Sequence, residues 1–201
     1  MPERKQKTVL VDIAGVLADF DKKAEARIIE MHPSITLIKN RKQFHLYDEY
    51  PPEYKESFEK ISREQGFYQS LEITEGAIDG LNQIIKLGFE PVICSSPVIN
   101  SEFCIPEKLT WVETMINPFL INNFEIKVII DKDKYLYDGI ALIDDKPIVN
   151  NSHLAKWEHI VFDRSYNKDA DKLRLMGWDD DNLSDLLMQA EQRYHNLKQF
   201  N

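Results

Sequence analysis

Five short apolar runs punctuate the chain, and each ends on polar residues. Thr8–Val11 precedes Asp12, residues 91–94 precede Ser95 and Ser96, residues 126–130 precede Asp131, residues 140–143 precede Asp144 and Asp145, and residues 159–162 precede Asp163. Runs this short and this rich in Val and Ile predict strands buried on both faces, as in a parallel sheet. Helical spacing fills intervals between them. Residues 76–87 place apolar side chains at 77, 78, 81, 84 and 85 and close on Gly88, a favourable helix terminator. Residues 108–119 carry Leu109, Val112, Met115, Ile116 and Phe119 at the same period. Strands alternating with helices predict an α/β fold with a doubly wound parallel sheet. In such sheets the chemistry gathers at the carboxyl ends of the strands, which here carry Asp12, Ser95, Ser96, Asp144 and Asp145.

The interval from Phe20 to about Ser70 breaks this rhythm. It is charged, aromatic and helical in pattern over residues 21–31 and 52–65. It predicts a small helical cap inserted after the first strand, giving a core of residues 1–19 and 73–201 and a cap of residues 20–72. Residues 183–200 predict a terminal helix, with Asp179, Asp180 and Asp181 at its start, where the helix dipole favours acids.

Composition narrows the classes. The chain has 201 residues, 43% of them hydrophobic, enough for one substantial core. With 25 Lys+Arg against 34 Asp+Glu the net charge is −9, the wrong sign for a protein that coats nucleic acid. Cys94 and Cys104 do not make a disulfide framework, so a reducing compartment is expected. No apolar run is long enough to span a membrane, and the first residues lack the apolar stretch of a signal peptide. These features predict a soluble, cytoplasmic protein.

Asp12 sits at a strand end followed closely by Gly15, which permits a tight turn. A carboxylate presented this way suits nucleophilic attack or metal binding. Asp144 and Asp145 are adjacent carboxylates at another strand end, and they repel unless a cation lies between them. Together with Asp12 they suggest a Mg²⁺ site, since magnesium takes carboxylates, waters and a phosphate. Ser95 and Ser96 are placed to donate hydrogen bonds to a phosphate. A lysine from the charged segment 131–134 would neutralise it; spacing does not choose between Lys132 and Lys134.

Residues 12–20, Asp-Ile-Ala-Gly-Val-Leu-Ala-Asp-Phe, resemble the first motif of the haloacid dehalogenase superfamily, Asp-x-Asp-Gly-Val. Ser95, Lys134 and the pair Asp144 and Asp145 follow in that superfamily's motif order. More narrowly, residues 71–77, 93–97, 104–113, 133–134, 142–147 and 157–159 resemble the 5′(3′)-deoxyribonucleotidase family, a likeness running from about residue 8 to 180. The resemblance implies a haloacid-dehalogenase-like core with an inserted cap and Mg²⁺-dependent hydrolysis of nucleoside monophosphates. It implies Asp12 as nucleophile, Ser95, Ser96 and Lys134 as phosphate ligands, and Mg²⁺ on Asp12, the Ala14 carbonyl, Asp144 and Asp145. It also implies base contacts from Phe20, Phe44, His45, Phe67 and Tyr68, with Arg41 and Tyr50 in the same cap segment. The partner it implies is a small-molecule nucleotide, not a nucleic-acid polymer or a membrane, and it is compatible with a homodimer. One position departs: the family's second Asp, its general acid and base, is Ala14 here. A methyl group cannot move a proton. The chain is therefore expected to bind metal and phosphate but to turn over poorly, either as an engineered substrate trap or as a relative that only binds. A signalling receiver domain also combines these groups, but its acidic pair comes first and it lacks a cap.

Overall fold

A computed structural model describes residues 7–199. The apolar runs become parallel strands: β1 (Thr8–Val11), β2 (Glu90–Ser95), β3 (Lys127–Ile130), β4 (Ala141–Asp144) and β5 (Glu158–Phe162). An additional strand, β6 (Leu173–Leu175), extends the sheet past β5. Among the described residues the sheet has six strands in the order β3-β2-β1-β4-β5-β6, all neighbours parallel. This is the expected doubly wound α/β sheet. Its strand order reverses direction beside β1, between β1 and β4, where such sheets open a crevice for ligands. The flanking helices are α3 (Ala77–Lys86), α4 (Cys104–Met115) and the terminal α5 (Leu183–Gln199). Val9, Val11, Ile140, Ala141, Leu142 and Ile143 are fully buried, which explains why their runs show no polar alternation.

The interval after β1 folds into α1 (Phe20–Met31), a 3₁₀ turn at Leu46–Glu49, another at Pro52–Tyr54, and α2 (Lys55–Ile61). No strand falls between residues 20 and 72. Asp19 caps α1 by accepting the Lys22 N–H at 3.1 Å. The chain leaves and re-enters the body at one place: Asp19 N–H donates to the Glu72 carbonyl at 2.9 Å, and Thr74 N–H to the Leu17 carbonyl at 2.9 Å. The return path is held by α4, where the buried Glu107 carboxylate accepts the Gly66 and Tyr68 N–H groups at 2.5 and 3.0 Å and the Trp111 indole donates to the Leu71 carbonyl at 2.9 Å. Leu46, Tyr50, Phe58 and Ile61 belong to the same hydrophobic cluster as Val9, Val11 and Trp111.

Several boundaries differ from expectation. The helix expected at 108 begins at Cys104, because Pro106 is tolerated in a first helical turn. It stops at Met115, and Asn117–Phe119 forms a 3₁₀ turn around Pro118. The helix expected over residues 52–65 is shorter, running only over Lys55–Ile61 after its 3₁₀ lead-in. Phe200, assigned to the terminal helix, lies outside the described residues. Asp180 forms a turn before α5, its carboxylate accepting the Met176 and Asn182 N–H groups at 2.9 Å each. No described helix is long and apolar enough to cross a membrane.

Candidate active site

The carboxyl ends of β1 and β4 bring three acids together. Pairing of β1 with β4 carries one residue further, with the Asp12 N–H donating to the Ile143 carbonyl at 3.0 Å. Asp12, Asp144 and Asp145 are all buried, and each offers a carboxylate oxygen within 4.8 Å of the others. After Asp12 the chain turns sharply, the N–H groups of Leu17 and Ala18 both donating to the Ile13 carbonyl. Gly15 makes this turn at φ +79°, and a Cβ there would lie 2.3 Å from Asp145 Oδ2. Glycine is required at this position both for its backbone angle and for the space it leaves the acid.

Lys134 binds the cluster. Its Nζ lies 2.8 Å from Asp12 Oδ1 and 2.6 Å from Asp144 Oδ2, and the Trp157 indole holds its carbonyl at 3.2 Å. Burial disfavours the ammonium, but the two carboxylates outweigh burial and raise its pKa. Lys132 is exposed, with its Nζ 3.9 Å from Asp133, so Lys134 is the lysine of this segment that reaches the acids. Burial works to raise Asp144, yet Lys134, His159 and the Lys146 N–H, at 2.8 Å, leave it below the ordinary carboxylate value. Asp145 goes the other way: burial first, then Asp144 and Asp12, push it up to about 8. The Tyr166 hydroxyl donates to Asp145 Oδ2.

Ser95, at the end of β2, faces the same space. Its hydroxyl accepts from Lys108 Nζ at 2.9 Å, and the Ser96 carbonyl accepts from that same ammonium at 2.7 Å. Lys108 projects from α4, is 3% exposed, and has the Tyr68 ring 5.1 Å away. Among the described residues no carboxylate lies within ion-pair distance of it. Burial lowers its pKa. Sequence reasoning missed Lys108, since a lysine in a helical pattern reads as a solvated face; its distance of four residues from Cys104 inside a buried helix was the available signal.

These groups line a cavity of about 440 Å³ together with Ala14, Phe20, Arg41, Phe44, His45, Tyr47, Tyr68 and Lys146. His45 stacks on Tyr47 with ring centroids 5.2 Å apart and planes 6° apart. Burial lowers the His45 pKa, with Lys146 and Arg41 adding to the effect against Asp48. One expected base contact, Phe67, does not line the cavity, and neither does Tyr50. Phe67 is buried edge-on against Phe20, 5.2 Å between centroids. Tyr50 is buried too, its hydroxyl accepting the Ile38 N–H at 3.2 Å. Both serve packing because their backbone positions turn the rings into the shared core.

The acid cluster fits a hard divalent cation: three buried oxygen donors converge, and the adjacent lysine already compensates part of their charge. Residues 6–193 match the family model described as 5′ nucleotidase, deoxy (pyrimidine), cytosolic type C protein. A Bordetella bronchiseptica protein provisionally named a 5′(3′)-deoxyribonucleotidase is 34% identical over 172 residues, covering 85% of this chain and 90% of its own. The human cytosolic 5′(3′)-deoxyribonucleotidase is 32% identical over 184 residues, 86% of this chain and 89% of its own; the human mitochondrial one is 31% identical over 186 residues, 86% and 79%. Among solved structures, a haloacid dehalogenase-like hydrolase from Xanthomonas campestris covers 96% of this chain and 100% of its own, with a TM-score of 0.53 and 13% identity. A hydrolase of the same fold from Deinococcus radiodurans, with bound phosphate and sodium, covers 87% and 92%, with a TM-score of 0.52 and 14% identity. These two likenesses show the fold.

Proposed function

The chain belongs to the 5′(3′)-deoxyribonucleotidase family, and from that premise we propose that its site binds nucleoside monophosphates, with deoxyribonucleotides foremost, and is built to release their phosphate through Asp12. The observation that carries the reading is the convergence of Asp12, Lys134, Ser95 and Lys108 on one cavity at the carboxyl ends of β1, β2 and β4. A Mg²⁺ ion would be held by the Asp12, Asp144 and Asp145 carboxylates and the Ala14 carbonyl. When bound, it would supply positive charge against the phosphoryl oxygens.

An Asp12 oxygen forms the new bond to phosphorus as the ester P–O bond breaks, and the electron pair leaves on the nucleoside oxygen. Lys134 holds Asp12 in place and offsets its charge, while Ser95 and Lys108 meet the phosphoryl oxygens. In-line transfer depends mostly on such positioning and charge neutralisation. The proton for the leaving oxygen has no side-chain source at Ala14, so it comes from water. Water then attacks the aspartyl-phosphate, again without a side-chain base, and returns Asp12 with free phosphate. Both steps are slow in this chain. Residues 20–72 act as the cap that covers the nucleoside end. The buried free thiols of Cys94 and Cys104 suit a cytoplasmic setting.

Ala14 supports a second reading, a protein that binds nucleotides without turnover. Ala14→Asp separates the two. General acid–base groups contribute about 10²–10⁴-fold, and a gain of that size is expected with deoxyribonucleoside monophosphates in a phosphate-release assay. An Ala14→Asp protein that folds and binds Mg²⁺ yet hydrolyses no phosphate ester would establish the binding-only reading.

A further inference from the structure

We infer that Arg41 is a positioning residue that sets affinity for the nucleoside part of the ligand and leaves the phosphate part untouched, an assignment that rests on the nucleotide reading above. Residues 32–45 contain no helix or strand, yet they carry Phe44 and His45 into the cavity. Side chains therefore hold this wall in place. Tyr50 accepts the Ile38 N–H, and Glu49 accepts the N–H groups of Lys42 and Gln43. Ile35, Leu37 and Ile38 pack against the core, and Arg41 adds a polar link to α1 and to the body.

Every guanidinium nitrogen of Arg41 is engaged. Nε and Nη2 donate to the two Asp21 oxygens at 2.9 and 3.0 Å, the forked geometry that arginine alone provides. Nη1 donates to the Gln43 carbonyl at 2.7 Å and also to the Phe44 carbonyl. The carbonyls flanking the wall thus hang from one buried group, itself tied to the first turn of α1. The face of that group lies 3.7 Å from the centroid of the Tyr166 ring. Tyr166 belongs to the body, follows β5, and donates its hydroxyl to Asp145. Phe44 meets the same ring edge-on at 5.9 Å. A continuous path therefore runs from α1 through Arg41 to Tyr166 and the acid cluster, and the guanidinium fixes the backbone of the wall whose Phe44 ring meets Tyr166 directly. Phosphate contacts do not depend on it, because Ser95, Lys108 and Lys134 are carried by β2, α4 and the segment before β4.

The test uses the chain as it stands, with Mg²⁺ present. Calorimetric titrations compare deoxyuridine 5′-monophosphate with inorganic phosphate for wild type, Arg41→Met, Arg41→Lys and Asp21→Asn, and thermal melts report folding. Arg41→Met should weaken nucleotide binding by about tenfold or more, equivalent to about 1.4 kcal/mol, and leave phosphate affinity within about twofold. Arg41→Lys should not rescue, since a point charge cannot fork to Asp21 and stack on Tyr166 together. Asp21→Asn should shift the same ratio in the same direction, and it carries the test if Arg41→Met fails to fold. Nucleotide binding indifferent to these changes, or nucleotide and phosphate affinities falling together, overturns the assignment. A wild-type chain that binds phosphate but no nucleotide overturns the nucleotide reading and this assignment with it.

Discussion

The Lys108 amine is buried beside the Ser95 hydroxyl, the Ser96 carbonyl and the Tyr68 ring face, with no carboxylate among the described residues within ion-pair distance. A buried charge without a counterion destabilises a fold, and replacing it with an apolar side chain of similar volume is often neutral or stabilising. Lys108→Met is therefore expected to raise the melting temperature of the ligand-free protein by about 2–4 °C, about 1 kcal/mol in a chain of this size, while phosphate affinity falls by about tenfold or more. Calorimetric melts and phosphate titration of the same samples check both halves. Its burial also sets a pH dependence. The folded value lies below the ordinary 10.5, so between those two values the unfolded chain binds the proton more often. Stability from this group rises with pH through that window and is absent below it. Urea midpoints measured up to pH 10 should climb more for wild type than for Lys108→Met. At Ala14 the effect falls on chemistry instead. An aryl phosphate with an acidic phenol needs little proton delivery, so Ala14→Asp should accelerate p-nitrophenyl phosphate far less than a deoxyribonucleotide. Equal gains with both esters would mean that position 14 acts through something other than the leaving-group proton.

Among the elements, α3 and the Trp178 turn illustrate how the site's backbone is pinned from behind. Trp178 donates its indole N–H to the Val16 carbonyl at 2.9 Å, just past the turn that carries Asp12. Its ring lies against Gly80 in α3, where an added Cβ would sit 2.1 Å from the ring. Gly80→Ala gains up to about 1 kcal/mol of helix propensity, yet overpacking of this kind costs about 1–3 kcal/mol. A net loss in urea unfolding is expected, accompanied by weaker Mg²⁺ binding as the Val16 turn moves; a stabilised protein would mean that Trp178 has another place to go. The strands ending at Asp12, Ser95 and Asp144 were legible because double burial writes unbroken apolar runs. β6 was not, because Leu173-Arg174-Leu175 is a three-residue edge strand and Arg174 satisfies itself locally on Asp163 and Asn167. The acids and Lys134 were legible from motif order, whereas Lys108 and Arg41 owe their roles to burial by distant segments. Phe67 and Tyr50 show the converse: aromatic spacing marks a ring, not whether it faces the cavity or the core.

For the whole molecule, a metal held at the acid cluster would tie stability to its concentration. Ligand at about one hundred times its dissociation constant adds about 2.7 kcal/mol to a folded state that alone binds it, which for this length corresponds to about 5–10 °C. Mg²⁺ should raise the melting temperature by that order, chelation should reverse it, and Asp144→Asn should abolish most of the increment. Fluorimetric melts with Mg²⁺ and with a chelator decide this; an unchanged increment in Asp144→Asn would remove Asp144 from the metal site.

Residues 20–72 and the sheet share one hydrophobic cluster, and the two ends of that segment lie side by side, with the Asp19 N–H donating to the Glu72 carbonyl. A segment rooted in that way cannot be lifted out and grafted onto another sheet without opening the recipient's core. Substitutions within residues 20–72 are therefore expected to bear on folding as well as on ligand binding, because the same segment that lines the cavity also completes the core.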